Sequence, residues 1–545
     1  MRSMNDSVRK TEVLIVGAGF SGITAGVRLL REGIEDFQII DRGHEVGGTW
    51  RDNTYPGAAC DVPSHLYSLS FAQDFDWSRS FGTQPEIADY QRSVAVQQGL
   101  YPHIRFRTEM VDARWDDAAG RWLVTTREFP HVLDDADGRT AVATSGELAD
   151  KVFGGGADGD ARDGEGAAAE PVTTTWSARE LVLGVGALCE PRLPDIEGIG
   201  GFEGTIFHSS RWDHDVDLRG KRVAVIGTGA SAIQIIPKIA PIVGHLDVYQ
   251  RTAPYVIPRL DRSYAGWERA ALRNVPGLRR VVRAQDWFFR ELQIPGLTKN
   301  DALMAPIKGL SLVMLRAQVR DRKLREKLTP KFTIGCKRML ISNTYYPAIA
   351  RDNVELVTDP IQRVNAHSIT TADGTERPID VLIVCTGFHV TDSPTFELVH
   401  GRDGESLAEA WRREGMSAHK GTTIHGYPNL SVLMGPATGL GHSSMIYMIE
   451  SQANYFMDML RTKRRHGADV AEVSERAQGE WNDWIRKRLP DTVWVSGCGS
   501  WYLDDHGNAP AVWPSWTWKF RLKTKKFDAS SYDLRVARPA LAPSR

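Results

Sequence analysis

At 545 residues the chain is several times the roughly 100–200 residues of an ordinary domain, so two or three domains with substantial cores are expected. Its 67 basic and 68 acidic residues leave a formal charge of -1, which supplies no field to draw it to nucleic acid or an anionic membrane and excludes a nucleic-acid partner. Residues 1–11 are polar and lack the apolar centre of a signal peptide, and no apolar run approaches the roughly 18 residues of a membrane span. Integral membrane association is therefore not expected, and a cytoplasmic location is. The five cysteines (Cys60, Cys189, Cys336, Cys385, Cys498) are odd in number, widely spaced and free of any CxxC pair. The expectation is buried, inert thiols, with no disulfide framework, zinc ribbon or dithiol redox centre, and no metal site.

The β-branched run at 12–16 reads as a buried parallel strand, and Gly17-Ala18-Gly19-Phe20-Ser21-Gly22 hands over to a helical stretch at 23–32. Gly33 stops that helix, residues 37–40 read as the second strand, and Asp41 stands at its end, 24 residues after Gly17. This is a complete βαβ dinucleotide fingerprint. Gly17 permits the tight turn, Gly19 lets the backbone approach a pyrophosphate, and Gly22 lets helix and strand pack closely. The helix N-terminus supplies free N–H groups, and Asp41 can accept from ribose hydroxyls.

Residues 128–175 are rich in Gly, Ala and Asp and predict a surface insertion without assigned function. A second unit follows. The run 221–226 leads into Gly227-Thr228-Gly229-Ala230-Ser231-Ala232, and the next strand, 246–249, ends in Gln250-Arg251-Thr252. Where the first unit has an acid, Arg251 stands, again 24 residues from the first glycine. A guanidinium there suits a ribose 2′-phosphate and favours NADPH over NADH, with Gly227, Gly229, Ser231, Arg251 and Thr252 as binding residues.

Residues 261–330 read as an arginine-rich helical subdomain in which Trp287-Phe288-Phe289 belongs to the core. The apolar run 379–388 is similar to the strand that returns the chain to a flavin domain in two-dinucleotide flavoproteins. Residues 427–436 would be the last strand, and Gly439-Leu440-Gly441-His442 a loop reaching the flavin. The fold class is thus α/β, with two Rossmann-like domains and an inserted helical subdomain. The FAD domain is expected at 1–140 and 388–545, the insertion at 128–175, and the NADPH domain at 176–387 with helices at about 261–330.

Phe202, Gly204, His208 and Trp212, followed by Asp213, match FxGxxxHxxxW(P/D). The pattern resembles the fingerprint of type I Baeyer–Villiger monooxygenases, whereas flavin-containing monooxygenases and N-hydroxylases usually carry another aromatic at the Trp212 position. A second stretch, from Gly48 through Trp50, Tyr55, Pro56 and Gly57 to Asp61, resembles the family pattern GxWxxxx(F/Y)PGxxxD. The resemblance covers nearly the whole chain apart from 128–175 and the far C-terminus. It implies FAD and NADPH as cofactors and a small-molecule ketone and O2 as substrates. It further implies a flavin peroxide that inserts one oxygen beside the carbonyl to give an ester or lactone. Gly48 and Trp50 would then lie at the flavin, Lys337 would help hold the 2′-phosphate, and Trp501 would contact nicotinamide or substrate. Arg338 would reach the flavin from the NADPH domain, with Asp61 orienting it. A permanent cation suits that chemistry because two successive anions form and an arginine stays protonated beside both.

His208, at the junction before the second unit, reads as a hinge rather than a general base, and His442 as either a flavin-facing donor or a satisfied loop histidine. The basic run 521–526 reads as a solvated face. The alternatives are an N- or S-oxygenating flavin monooxygenase and a non-catalytic redox-sensing flavoprotein. A disulfide reductase would need a CxxC near the flavin, which the chain lacks. Substrate identity and oligomeric state are not encoded in any motif.

Overall fold

The computed structural model describes residues 8–129, 170–298, 300–499, 502–504 and 508–537. Strand Arg9–Val16 lies between Phe37–Ile40 and Val172–Leu183, parallel to both. Val13, Leu14 and Ile15 are fully buried, which is why this strand reads as a continuous apolar run: helices cover a parallel sheet on both faces. Strand Val172–Leu183 pairs antiparallel with Arg121–Glu128 through its first half, and its last three residues pair parallel with Leu430–Val432. Thr108–Asp116 and Val399–His400 extend that edge. The first sheet therefore draws on three separate stretches of chain. Residues 176–183, inside the range expected for the NADPH domain, belong to it, because the register with Arg9–Val16 continues to Leu183 and the Gly184 N–H donates to the Val16 carbonyl at 2.8 Å.

The second sheet is all parallel, in the order Val354–Val357, His245–Tyr249, Arg222–Ile226, Val381–Val384, Thr205–His208. Strand Val381–Val384 sits inside this sheet. The chain leaves it through Gly387 and Phe388, which pair with residues 191–192 on the connection from the first sheet. Both glycine turns are built alike. Gly17 (φ +101°) lies with its Cα against the Gly184 carbonyl, 2.6 Å from where a Cβ would be, and Gly227 (φ +114°) sits in the same way against the Cys385 carbonyl. Each turn thus occupies the crevice where its sheet's strand order reverses, the ligand-binding position of open α/β sheets.

Helices Gly266–Asn274, Leu278–Glu291, Ile294–Thr298, Ala305–Gln318 and Arg322–Lys327 fill the helical stretch. Its arginines fasten it to the first domain. Arg269 and Arg273 each reach Asp76 at 2.6 Å, and Arg283 donates to the carbonyls of His65, Leu66 and Ser68 at 2.8, 3.1 and 2.5 Å. The aromatic cluster is not the core element expected. Trp287 is half-buried and its indole donates to Thr517 Oγ1 at 3.0 Å, but Phe288 and Phe289 are 54% and 58% exposed. Helical periodicity explains the split: 283, 287 and 290–291 share the inward face, and 288–289 turn away from it.

The cysteine expectation also needs correction. Cys336 and Cys498 form a disulfide with a Cα–Cα separation of 6.3 Å across 162 residues, while Cys60, Cys189 and Cys385 are free. Spacing in the sequence gives no sign of this pair; it arises where the C-terminal segment packs onto residues 332–341, with Val493 against Gly335. Residues 130–169 of the expected insertion lie outside the described residues, and its flanks, Arg121–Glu128 and Val172–Leu183, form the two arms of an antiparallel pair. No helix among the described residues is long and apolar enough to cross a membrane.

Candidate active site

The first turn carries no side chain over Gly19. A Cβ on Gly22 would collide with the Gly17 carbonyl, so the helix starts hard against the strand, and Gly19 faces Gly48 with only backbone between them, 3.8 Å from its Cβ position to the Gly48 Cα. Asp41 closes the turn from the next strand: Oδ2 accepts from Ala18 N–H at 2.6 Å, and Oδ1 from Gly43 N–H and Arg51 Nη1, both at 2.7 Å. Its carboxylate is thus already held by the protein, with a lone pair on Oδ2 left for a sugar hydroxyl. Arg51, which sequence reasoning passed over, is buried and bridges Asp41 to Asp52.

Gly48 (φ +52°) caps the short helix Thr49–Asp52. Trp50 is fixed at both ends, its indole donating to Tyr67 Oη at 3.0 Å and its carbonyl accepting from Gln84 at 2.6 Å. From there the motif loop runs under the second domain. Gln234, on helix Ala232–Ile239 after Ser231, accepts from Tyr55 Oη at 3.2 Å and exchanges hydrogen bonds with the backbone of Ala59.

At the end of this loop Asp61 meets Arg338. Nε donates to Oδ2 at 2.6 Å and Nη2 to Oδ1 at 2.7 Å, a bidentate pair with each side chain about a quarter exposed. Nη1 donates to the Leu440 carbonyl at 3.2 Å. Burial alone would raise the Asp61 carboxyl, but the adjoining guanidinium outweighs it and holds the pKa below the ordinary carboxylate range. Burial would likewise lower Arg338, and Asp61 more than offsets it. Two further arginines pin the same loop through its backbone: Arg259 to the Cys60 carbonyl at 3.1 Å and Arg290 to the Asp61 carbonyl at 3.2 Å.

At the second turn no atom lies within 4 Å of a Cβ placed on Gly229, so the backbone is open to a ligand. Thr228 donates to the Thr252 carbonyl at 3.3 Å, which ties the turn to the strand end carrying Arg251. Lys337 lies over the Phe332 ring at 5.3 Å. Burial and the nearby Arg251 lower its pKa, so two cations from distant segments adjoin here, and neither has a carboxylate partner among the described residues. Trp501 lies outside the described residues.

His208 ends strand Thr205–His208. Its Nδ1 accepts from Ser210 N–H at 3.1 Å, and burial pushes its pKa down to about 3. It is neutral and bonds the backbone two residues on. His442 is buried, with Nε2 at 3.4 Å from Glu291 Oε1, and burial lowers it as well. Glu291 also accepts from Thr517 N–H at 3.0 Å and Oγ1 at 2.7 Å, so one carboxylate joins the helical subdomain, the 439–442 loop and the C-terminal helix. Around that loop several buried polar atoms have no protein partner: His442 Nδ1, Ser443 Oγ, Ser444 Oγ and Trp494 Nε1. Arg211 Nε and Nη2 are in the same condition at the domain junction. Buried polar atoms are seldom left unpaired, and donors and acceptors of this mixed kind fit a heteroaromatic ring and its phosphates.

Residues 15–81 match the family described as NAD(P)-binding Rossmann-like domain, and residues 165–263 the family described as L-lysine 6-monooxygenase/L-ornithine 5-monooxygenase. A Baeyer-Villiger monooxygenase of Streptomyces coelicolor is 43% identical over 532 residues, covering 97% of this chain and 93% of that protein. The chain belongs to the Baeyer–Villiger monooxygenases. A Pseudomonas aeruginosa member is 40% identical over 530 residues, 97% of this chain and 92% of its own. Among solved structures, a steroid monooxygenase bound to NADP is similar at 28% identity and TM-score 0.78, covering 97% of this chain and all of that one. The OTEMO complex with FAD and NADP is similar at 26% and 0.80 with the same coverage.

The Baeyer–Villiger fingerprint has a structural basis in this chain. Phe202 is fully buried, a Cβ on Gly204 would meet its ring and the Asp380 carbonyl, and Trp212 packs edge-on against Phe207 at 5.1 Å. Residues that sequence reasoning missed fall into two groups. Arg51 and Arg211 lie inside the two quoted motifs at unspecified positions, and each stands next to a motif tryptophan, Trp50 and Trp212, the one local signal for them. Gln234, Arg259, Arg290 and Glu291 act only through folding and carry no local signal.

Proposed function

We propose that this Baeyer–Villiger monooxygenase binds FAD at the first glycine turn and NADPH at the second, and inserts one atom of O2 beside the carbonyl of a ketone to give an ester or lactone. The observation that carries the reading is the bidentate Asp61–Arg338 pair, which brings a permanently charged donor from the second domain onto the loop of the first. When bound, NADPH supplies a hydride and FAD the oxygen-reactive two-electron centre.

The remaining work belongs to the chain. The Gly19 backbone and the start of helix Phe20–Arg31 receive the pyrophosphate of the first dinucleotide, while the Gly17 and Ala18 amides are held by Ile40 and Asp41. Gly48 and Trp50 bound that dinucleotide from the opposite side. Gly227, Gly229 and Ser231 receive the second dinucleotide, and Arg251 and Lys337, beside Thr252, hold its 2′-phosphate. Of the five N–H donors of Arg338, three are engaged by Asp61 and Leu440 and Tyr502 lies beside the guanidinium, and the N–H left over stabilises negative charge developing on the reacting oxygens. Asp61 fixes the plane of the guanidinium and compensates its partial burial. A cytoplasmic location, where NADPH is regenerated, accompanies this reading.

The test is mass spectrometry of products from a ketone panel under 18O2, with wild type and Arg338→Ala. The expected result is an ester one labelled oxygen heavier. In the variant, flavin reduction by NADPH should persist while ester formation falls by at least about 100-fold, the loss typical of one preorganised donor. Undiminished ester yield in that variant would remove Arg338 from the chemistry. The match of residues 165–263 to an amine-oxygenating family favours a second reading, oxygenation of an amine or sulfide. Label in those compounds, with none in any ketone product, would establish it.

A further inference from the structure

Away from the glycine turns, a cavity of about 500 Å³ opens between the C-terminal half of helix Phe20–Arg31, helix Met445–His466 and helix Thr517–Lys523. Its walls carry five cations, Arg28, Arg31, Arg461, Arg521 and Lys525, against two carboxylates, Glu32 and Asp458. Both carboxylates are committed to Arg461. Arg521 donates to Ser451 Oγ at 3.2 Å and Glu450 at 3.4 Å, and Arg31 to Gln98 at 3.0 Å.

Arg28 is the exception. Its guanidinium has no hydrogen bond or ion pair among the described residues, and its Nε is buried without a partner. Its guanidinium lies over the Phe71 ring at 5.2 Å, and that of Arg31 lies over the same ring at 4.6 Å. Burial, and then the charges of Arg31, Arg521 and Arg461, lower its pKa even though Glu450 opposes them. An arginine does not escape such crowding by losing its proton, so the unmet demand is for an anion. Lys525 on the rim is exposed and likewise has no carboxylate partner among the described residues. The basic run 521–526 of the sequence thus places two of its basic residues, Arg521 and Lys525, on this cavity.

We propose that the cavity is a binding site for a small molecule bearing a phosphate monoester or diphosphate, contacted by Arg28 and Lys525, with Met457 and Leu522 as its apolar wall. A guanidinium fork matches phosphate oxygens in pairs, and the lysine adds a point charge. The volume falls within the roughly 300–1,000 Å³ of ordinary small-molecule sites.

Calorimetric titration of the FAD-loaded protein with inorganic pyrophosphate tests this, with NADP+ present at saturation so that the 2′-phosphate site is filled. One saturable site is expected, weakened at least tenfold in Arg28→Gln and in Lys525→Gln and unaltered in Arg251→Gln. The exposed Lys525 variant keeps the test open should the Arg28 variant fold poorly, as judged by circular dichroism and FAD content. A parallel arm measures sedimentation with phosphatidylglycerol-containing and pure phosphatidylcholine vesicles, to separate a free phosphate from a lipid headgroup. Absence of vesicle binding, or its displacement by pyrophosphate, supports the cavity. The proposal is overturned by pyrophosphate binding that is absent, unchanged from wild type in both Arg28→Gln and Lys525→Gln, or lost in Arg251→Gln, and equally by vesicle binding that pyrophosphate does not displace.

Discussion

Arg251 and Lys337 show how much a single side chain decides at the residue scale. They reach one place from different segments, and their mutual repulsion, together with burial, already lowers the lysine. A 2′-phosphate would relieve both. Replacing Arg251 by Glu removes one charge-assisted contact and adds a repulsion. A contact of that kind contributes about 1.5–3 kcal/mol, or roughly a ten- to hundredfold change in affinity. The KM for NADPH should therefore rise by at least that factor while the KM for NADH changes little, as steady-state kinetics with both cofactors will show. An unchanged cofactor preference would place the 2′-phosphate elsewhere. Asp41, at the matching position of the first unit, shows the opposite economy: its carboxylate is held by the turn and Arg51 before any ligand arrives.

The elements differ in how plainly the sequence announces them. Both strand–turn–helix units were legible because their causes are local: a run of buried β-branched residues, a glycine whose φ is positive, and a helix that starts at once. The Asp61–Arg338 pair was reachable only through a family resemblance, since nothing local links the two positions. The Cys336–Cys498 disulfide and the Glu291–His442–Thr517 junction were not legible at all, because each joins segments that meet only after the C-terminal part of the chain has packed down. The disulfide gives a direct test. Disulfides are uncommon in a reducing cytoplasm, so the thiols should be alkylated rapidly at lysis and counted by mass spectrometry. Three free thiols are expected before reduction and five after it; five before reduction would refute the pairing. Cys498→Ser should lower the thermal midpoint, with the stability lost bounded by about 5 kcal/mol, the loop-closure contribution for a loop of this length.

On the scale of the whole molecule, two sheets with separate cores are held together by arginines reaching across from the helical subdomain and the second domain. Arg269 and Arg273 grip Asp76, Arg283 and Arg290 grip carbonyls of the 61–68 segment, and Arg338 grips Asp61. This arrangement fixes the sign of the molecule's acid response. The Asp76 carboxyl is held below its ordinary value by its hydrogen bonds to Arg269 and Arg273, and Asp61 is held low because Arg338 outweighs its burial. In both cases the folded pKa lies below the unfolded one, so the unfolded chain takes up protons first as pH falls. The stabilisation is complete above the ordinary carboxylate pKa of about 3.9 and is lost as pH drops through the folded values. Thermal midpoints measured from pH 7 to pH 2 at low salt should therefore fall on the acid side, below about pH 4. In Asp76→Asn the acid limb should be shallower, and the loss at pH 7 should be a few tenths to about 1 kcal/mol, as for other partly exposed pairs. Because the Asp76 contacts join the helical subdomain to the first domain, added salt should weaken the wild type more than the variant. Identical acid slopes in the two proteins would mean that the Asp76 contacts contribute nothing to the acid response, which then rests on other pairs such as Arg279–Asp74 and Arg338–Asp61.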